Sequence, residues 1–326
     1  MSAPKSGSSG AALGRRLRER DLSAAPAVLN LLESTTDADR EQARALLAEV
    51  SPAKLGHEPT GRIVGVTGPP GAGKSTLLSA LLRSWRAGGR SVAMLAVDPS
   101  SRASGGSLLG DRARIEFDPA DREVFIRSTA AGERLGGLAW GTRAAGQALA
   151  TAFDVVVIET VGVGQAETEI ADAADAVVVV VQPGSGDVLQ FLKSGIMEIP
   201  DVLVVTKADL GQVALSARRD LNAALRSLGR RETPVVAVSS LPPPSGIEDL
   251  VEAIDTRLGA TDLPERRTSA RRAAALSDFA IEHGIKALRT LGGRRAAEQM
   301  LAELDPSLSE AELESALLDR LSKIFS

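Results

Sequence analysis

The chain has 326 residues, a formal net charge of −4 and a pI near 5.5. That leaves room for one large α/β domain with helical additions, and gives no electrostatic reason to expect a nucleic-acid partner. Cysteine is absent and histidine occurs only at His57 and His283, which argues against disulfides, thiolate metal sites and a dedicated soft-metal site.

In chain order, the opening MSAPKSGSSG lacks the apolar core of a secretion signal and reads as a disordered tail, residues 1–12. No apolar run approaches the roughly 20 residues that span a bilayer. The expectation is a soluble, cytoplasmic protein with no membrane partner. Residues 13–58 read as a helical N-terminal extension, with apolar positions such as Leu17, Leu29, Leu32 and Leu46 between charged faces. Asp37 is the candidate cap of a helix ending near Leu55, with Glu41 in its first turn.

From 59 to 262 the pattern alternates strands and helices. Strands are predicted at 62–67, 91–97, 123–127, 153–159, 176–181, 202–206 and 235–239, most of them continuously apolar and rich in valine. Such runs belong to a parallel sheet covered on both faces, so the predicted fold class is α/β, mostly parallel. Pro242–Pro244 reads as a stiff turn. Beyond Leu263-Pro264 the strands stop. Residues 265–292 and 308–325 read as two helices with too few large apolar residues for a core of their own. The segment 263–326 is therefore expected to pack on the main domain or on a second copy, as the arm of a symmetric homodimer.

The motif richest in chemistry is GPPGAGKS, Gly68 to Ser75, which fits G-x-x-x-x-G-K-[ST] between a strand and a helix. Gly68, Gly71 and Gly73 let the backbone curl so that successive N–H groups, that of Ala72 among them, face phosphate oxygens. The helix start through Ser75 and Thr76 adds its positive dipole end. Lys74 reaches the β- and γ-phosphates, and the Ser75 hydroxyl holds Mg²⁺. The pattern predicts a nucleoside triphosphate site.

Three acids follow at or after strand ends. Asp98 stands at the ligand edge of a parallel sheet, either holding Mg²⁺ or capping the next loop. Asp111 ends a glycine-rich stretch, RASGGSLLGD, and serves either the γ-phosphate and Mg²⁺ or only a solvated loop. Glu159, with Gly162 three residues on, has the form of the second Mg²⁺-side acid followed by the glycine whose N–H senses the γ-phosphate in GTPases. Gln165 either orients water or is structural. For the base, Thr206-Lys207-Ala208-Asp209 matches [NT]-K-x-D. An Asp there accepts two N–H bonds from guanine, which adenine cannot supply. Thr206 replaces the commoner Asn and is expected to weaken support for the loop. Ser239 lies after the last strand, where the guanine carbonyl is met.

The stretches DPSS, GGSLLGDRAR, FDVVVIETVGVGQAE, PGSGDVLQFLKSGIMEIPD and TKAD resemble the MeaB/ArgK family of cytoplasmic P-loop GTPases associated with cobalamin-dependent acyl-CoA mutases. The resemblance runs from about 60 to 260. It implies binding of GTP and GDP, phosphate contacts from Gly71 to Ser75, and Asp98, Asp111 and Glu159 around Mg²⁺ and the γ-phosphate. It also implies guanine selection by Lys207 and Asp209, and a switch at 183–195 in which Asp187 and Lys193 couple nucleotide state to the mutase. Read without the family, Asp187 and Lys193 are equally two solvated helix charges. Phe191 stands where the family usually has Gly. The function implied is a slow GTPase acting as a chaperone-like accessory protein that gates cofactor loading and protects the mutase. The alternatives are an ArgK-type kinase of a transport system and a metal-insertion GTPase.

Overall fold

The computed structural model describes residues 9–34, 36–98, 115–130, 140–160, 166–184 and 200–325. These form two compact units, one of residues 61–261 and one built from the segments before 60 and after 262.

The first unit holds seven strands: β1 (Arg62–Thr67), β2 (Val92–Asp98), β3 (Val124–Ala130), β4 (Val155–Thr160), β5 (Ala176–Val181), β6 (Val202–Val205) and β7 (Val235–Ala237). They form one sheet in the order β3-β2-β4-β1-β5-β6-β7, and every pair is parallel. All seven predicted strands are present: β1 and β5 have the predicted ends, and no end of the others is shifted by more than three residues. Side chains alternate between two covered faces. Val64, Val66, Val155, Val157, Val178 and Val180 pack against Leu77, Leu78, Leu81 and Trp85 from one helix and Ile247, Leu250, Ile254 and Leu258 from another. Those helices are Lys74–Ala87 and Ile247–Ala260. On the opposite face Gly65 lies so close to Ile170 that an added Cβ would sit 2.7 Å from its Cγ1. A glycine in the middle of a strand is there because a helix, Ala166–Ala173, comes that near.

Three aspartates stand one residue ahead of their strands and tie the lower edge of the sheet. Asp154 accepts from the Ser91 N–H at 2.8 Å, Asp175 from Ile63 at 2.7 Å and Asp201 from Val177 at 2.9 Å. Each thereby satisfies a backbone donor at the start of the neighbouring strand. Buried N–H groups left unpaired would cost about 1–3 kcal/mol each.

The second unit is helical. Its N-terminal part contains α1 (Gly10–Arg18), α2 (Ala25–Leu32), α3 (Asp37–Glu49) and α4 (Pro52–Leu55). The cap of α3 is Thr36, not Asp37: its hydroxyl accepts from the Asp39 N–H at 3.2 Å, while Asp37 and Asp39 occupy the first turn. The helix also ends at Glu49, because Ser51 and Pro52 start a new turn there. In the first unit follow α5 (Lys74–Ala87), α6 (Trp140–Leu149), α7 (Ala166–Ala173), α8 (Gln212–Ser227) and α9 (Ile247–Ala260). The C-terminal part of the helical unit has three helices where two were expected: α10 (Leu263–Thr290), α11 (Arg294–Ala302) and α12 (Glu310–Phe325). These carry a core of their own, contrary to the sequence expectation. Leu276, Phe279, Ala297, Leu301, Leu313 and Leu317 are buried together. Leu288, Leu291, Met300, Leu304, Leu318 and Leu321 pack against this cluster while remaining partly exposed.

The two ends of the chain are joined by arginines. Arg271 of α10 donates to both Glu58 oxygens at 3.0 and 2.8 Å and to the Pro306 carbonyl at 2.7 Å. Arg267 donates to the Pro59 carbonyl. The Arg271 and Glu58 side chains are only 6% and 14% exposed.

Candidate functional site

In an all-parallel sheet the C-terminal ends of all strands lie along one edge. Here β1 is flanked by β4 and β5, so the chain reverses its direction of travel across the sheet beside β1. That is where α/β proteins bind ligands. The loop after β1 is built for it. Gly68, Gly71 and Gly73 have φ of 150°, 79° and 89°, values that side-chain-bearing residues seldom adopt. At Gly68 an added Cβ would also lie 2.3 Å from the Val180 carbonyl oxygen. The loop thus lies directly on β5.

Gly73 caps α5 in the left-handed conformation, and Leu77 N–H already bonds the Gly73 carbonyl at 2.9 Å. The N–H groups of the first turn, including Ser75 and Thr76, have no intrahelical acceptors. They form an anion-ready terminus. Lys74 is buried, and its ammonium donates to the carbonyls of Gly68 at 2.7 Å and Pro69 at 3.2 Å. The cation is thereby held across its own loop.

Around this loop the structure gathers most of the predicted residues. Glu159 is buried at the end of β4, level with Val66 of β1 and Ala96 of β2. Asp98 is the last residue of β2 and so reaches the same edge. Two buried hydroxyls that the sequence reading passed over lie there as well. Thr67 closes β1 and Thr160 closes β4, and neither Oγ1 has a hydrogen-bond partner among the described residues. Asp111, Gly162, Gln165, Asp187 and Lys193 lie outside the described residues.

The residues expected to meet the base come from two loops that the fold joins. Lys207 has φ 54° and ψ 43°, a left-handed conformation uncommon for a residue with a long side chain. The Ala208 N–H bonds the Val238 carbonyl at 3.0 Å, and the Ser239 hydroxyl donates to Asp209 Oδ1 at 2.9 Å. Ser239 therefore orients the exposed Asp209 carboxylate, and Asp209 retains acceptor capacity for a ligand. Thr206 is the hinge between the two halves of the site. Its buried hydroxyl donates to the Ala72 carbonyl of the phosphate loop at 2.7 Å. Thr206 stands where Asn is commoner, and its hydroxyl ties the base loop to the phosphate loop through this bond.

A strand, a glycine loop with an inward lysine, an acid-bearing parallel edge and a pinned [NT]-K-x-D loop define a P-loop nucleoside triphosphatase of the GTPase class. Comparison with known proteins agrees. Residues 24–290 match the family model described as methylmalonyl Co-A mutase-associated GTPase MeaB. A Pyrococcus abyssi protein named as a GTPase is 42% identical over 249 residues, 73% of each chain. The GTPase ArgK of Escherichia coli is 38% identical over 74% of this chain and 73% of its own. The mouse methylmalonic aciduria type A homolog, mitochondrial, is 40% identical over 62% of this chain and 51% of its own. A crystal structure titled LAO/AO transport system kinase superposes with a TM-score of 0.66 at 26% identity, covering 99% of both chains. The chain belongs to the MeaB family. It is a GTPase, binding guanine nucleotide and converting GTP to GDP and phosphate.

Proposed function

We propose that this GTPase serves as an accessory protein of a cobalamin-dependent acyl-CoA mutase, gating cofactor loading and protecting the mutase during turnover. The observation that carries the reading is the family match over residues 24–290, whose description names a methylmalonyl-CoA mutase partner. The mouse relative named for methylmalonic aciduria supports it. Gly68 to Thr76 cradle the phosphates. Lys74 leaves its loop carbonyls for the β- and γ-phosphate oxygens, and Asp209, held by Ser239, accepts the two guanine N–H groups.

The donors at the sheet edge fit a hard cation. Ser75, Asp98 and Glu159 offer oxygen, as Mg²⁺ requires, and the unpartnered Thr67 and Thr160 hydroxyls suit its retained waters. Asp111, outside the described residues, is proposed as a further oxygen donor. When bound, Mg²⁺ neutralises charge on the β- and γ-phosphates. Lys74 shares that work, positioned at the loop before reaction begins. Gly162 meets the γ-phosphate through its N–H. Hydrolysis is slow in this reading, and a partner accelerates it.

Asp187 and Lys193 couple nucleotide state to the mutase, and the chain acts as a cytoplasmic homodimer through 263–326. Exposed Ile281, Ile285 and Ile324 support such an interface. No described helix is long and apolar enough to cross a membrane.

The test has three arms. Asp209→Asn should weaken GTP binding and improve xanthosine triphosphate, because an amide can donate to the extra carbonyl. Asp187→Ala and Lys193→Ala should leave GTP affinity within a few-fold and cut mutase-stimulated hydrolysis about tenfold, or roughly 1.4 kcal/mol of coupling. Sedimentation should show a dimer at micromolar concentration. The reading fails if a cobalamin-dependent mutase neither binds the protein nor changes its hydrolysis rate. Phosphoryl transfer to a transport protein would instead favour the kinase reading, which the solved structure's title supports.

A further inference from the structure

The two histidines are far apart in sequence and suggest no metal site. Folding changes the neighbourhood of one of them. His283 follows Phe279 by one helical turn on α10, and their rings lie 5.0 Å apart at 52°. Phe279 is fully buried against Leu313 and Leu317 of α12. The imidazole is thus carried to the seam between α10 and α12, where Glu314 follows Leu313. Glu282 precedes His283, and ligand atoms of Glu282, His283 and Glu314 all lie within 4.8 Å of one another.

A further observation bears on what belongs there. The His283 Nε2 atom is buried and has no hydrogen-bond partner among the described residues. Immediately after His283 the helix breaks: Gly284 has φ 81° and ψ 166°, a conformation open to glycine.

We propose that Glu282, His283 and Glu314 bind one divalent transition-metal ion, which joins α10 to α12. One imidazole nitrogen and two carboxylate oxygens are the donor set of Zn²⁺, Co²⁺ or Ni²⁺, whereas Mg²⁺ and Ca²⁺ take all-oxygen sites. Ligand atoms about 2.0–2.2 Å from one ion lie at most about 4.4 Å apart. The 4.8 Å spread therefore closes only with a small side-chain movement, for which the exposed Glu282 has room. The site is independent of the nucleotide pocket and needs no nucleotide.

The experiment is a Co²⁺ titration of chelator-treated, nucleotide-free full-length protein, followed by the visible absorption of bound Co²⁺ and by melting temperature. One ion per chain is expected, displaced by Zn²⁺, with a raised melting temperature. His283→Ala and Glu314→Gln should each weaken binding by about tenfold or more while leaving GTP hydrolysis and helical circular dichroism unchanged. Glu314→Gln keeps the side-chain volume and so guards against a simple folding defect. Ser75→Ala should leave the Co²⁺ band intact. A titration without a saturable band, or a band that survives both substitutions, overturns the proposal. So does a band lost in Ser75→Ala, which would place the ion at the phosphate loop.

Discussion

The sheet unit and the helical unit hold themselves together by different means. In the sheet unit β1, β4, β5 and β6 are buried almost without interruption. Continuous burial of Val, Ile and Leu contributes about 1.5–3 kcal/mol per side chain. The core is local to the sheet, and function sits on loops at its edge. The helical unit also buries apolar side chains, among them Leu17, Leu29, Leu46, Phe279 and Leu317, but adds buried arginines that connect segments more than two hundred residues apart in sequence. Unpairing such an arginine leaves an uncompensated charge, a cost that trimming one side chain of a valine-rich strand does not carry. That difference can be tested by breaking one tie of each kind.

The largest effect is expected in the helical unit. Arg271→Ala leaves the largely buried Glu58 carboxylate without its bidentate partner and removes the shorter of two bonds to the Pro306 carbonyl. Losing one member of a buried pair costs about 3–5 kcal/mol. Denaturant titration should show that loss, and a change below about 1 kcal/mol would mean the helical core stands without the tie. Next comes the phosphate loop. Lys74→Ala should lower GTP hydrolysis by about 10²-fold or more, while the melting temperature changes little. Residual turnover near the wild-type rate would show that Lys74 is only a loop brace, as its bonds to Gly68 and Pro69 allow.

A smaller change is expected at the hinge between phosphate loop and base loop. Thr206→Val removes the bond to the Ala72 carbonyl and should weaken GTP binding by roughly tenfold, about 1.4 kcal/mol. Equal affinity by calorimetry would remove Thr206 from the site's support.

The smallest concerns a surface pair of the sheet unit. The Arg86 guanidinium, bonded at 2.7 and 3.2 Å, holds the Asp121 carboxyl below the usual carboxylate range. A carboxyl with a depressed folded-state pKa contributes stability that is present above its unfolded pKa of about 4 and lost as pH falls through the folded value. With both side chains partly in water the contribution is under about 1 kcal/mol. Asp121→Asn should therefore lower stability slightly at pH 7 and flatten the decline below pH 4. An unchanged acid profile in the variant would mean the pair contributes nothing.

The units also differed in how far they could be read in advance. Valine runs, the glycine-lysine loop and TKAD carry their structure within a few residues, because strand burial, positive φ and base recognition are local demands. Seven strands and the placement of Lys74, Glu159 and Asp209 along one edge were legible for that reason. The bonds of Thr206 to Ala72 and of Ser239 to Asp209 were not, since each joins loops that follow different strands. Asp154, Asp175 and Asp201 did carry a sequence signal, an aspartate directly before a valine-rich strand, but its use as a tie to the neighbouring strand requires the strand order.

In the helical unit almost nothing was local. Helices with scattered leucines looked too thin for a core, and only the packing of α10, α11 and α12 brings those side chains into one cluster. Arg271 meets Glu58, and His283 meets Glu314, because folding closes those long separations. By itself the sequence determined a parallel α/β GTPase of the MeaB family, whose phosphate and base motifs are short and conformationally demanding. The tertiary structure alone decided which hydroxyls and carboxylates hold those motifs in place and how the chain's two ends form one unit. Contacts between residues distant in sequence depend on the assembled geometry, which no local pattern contains.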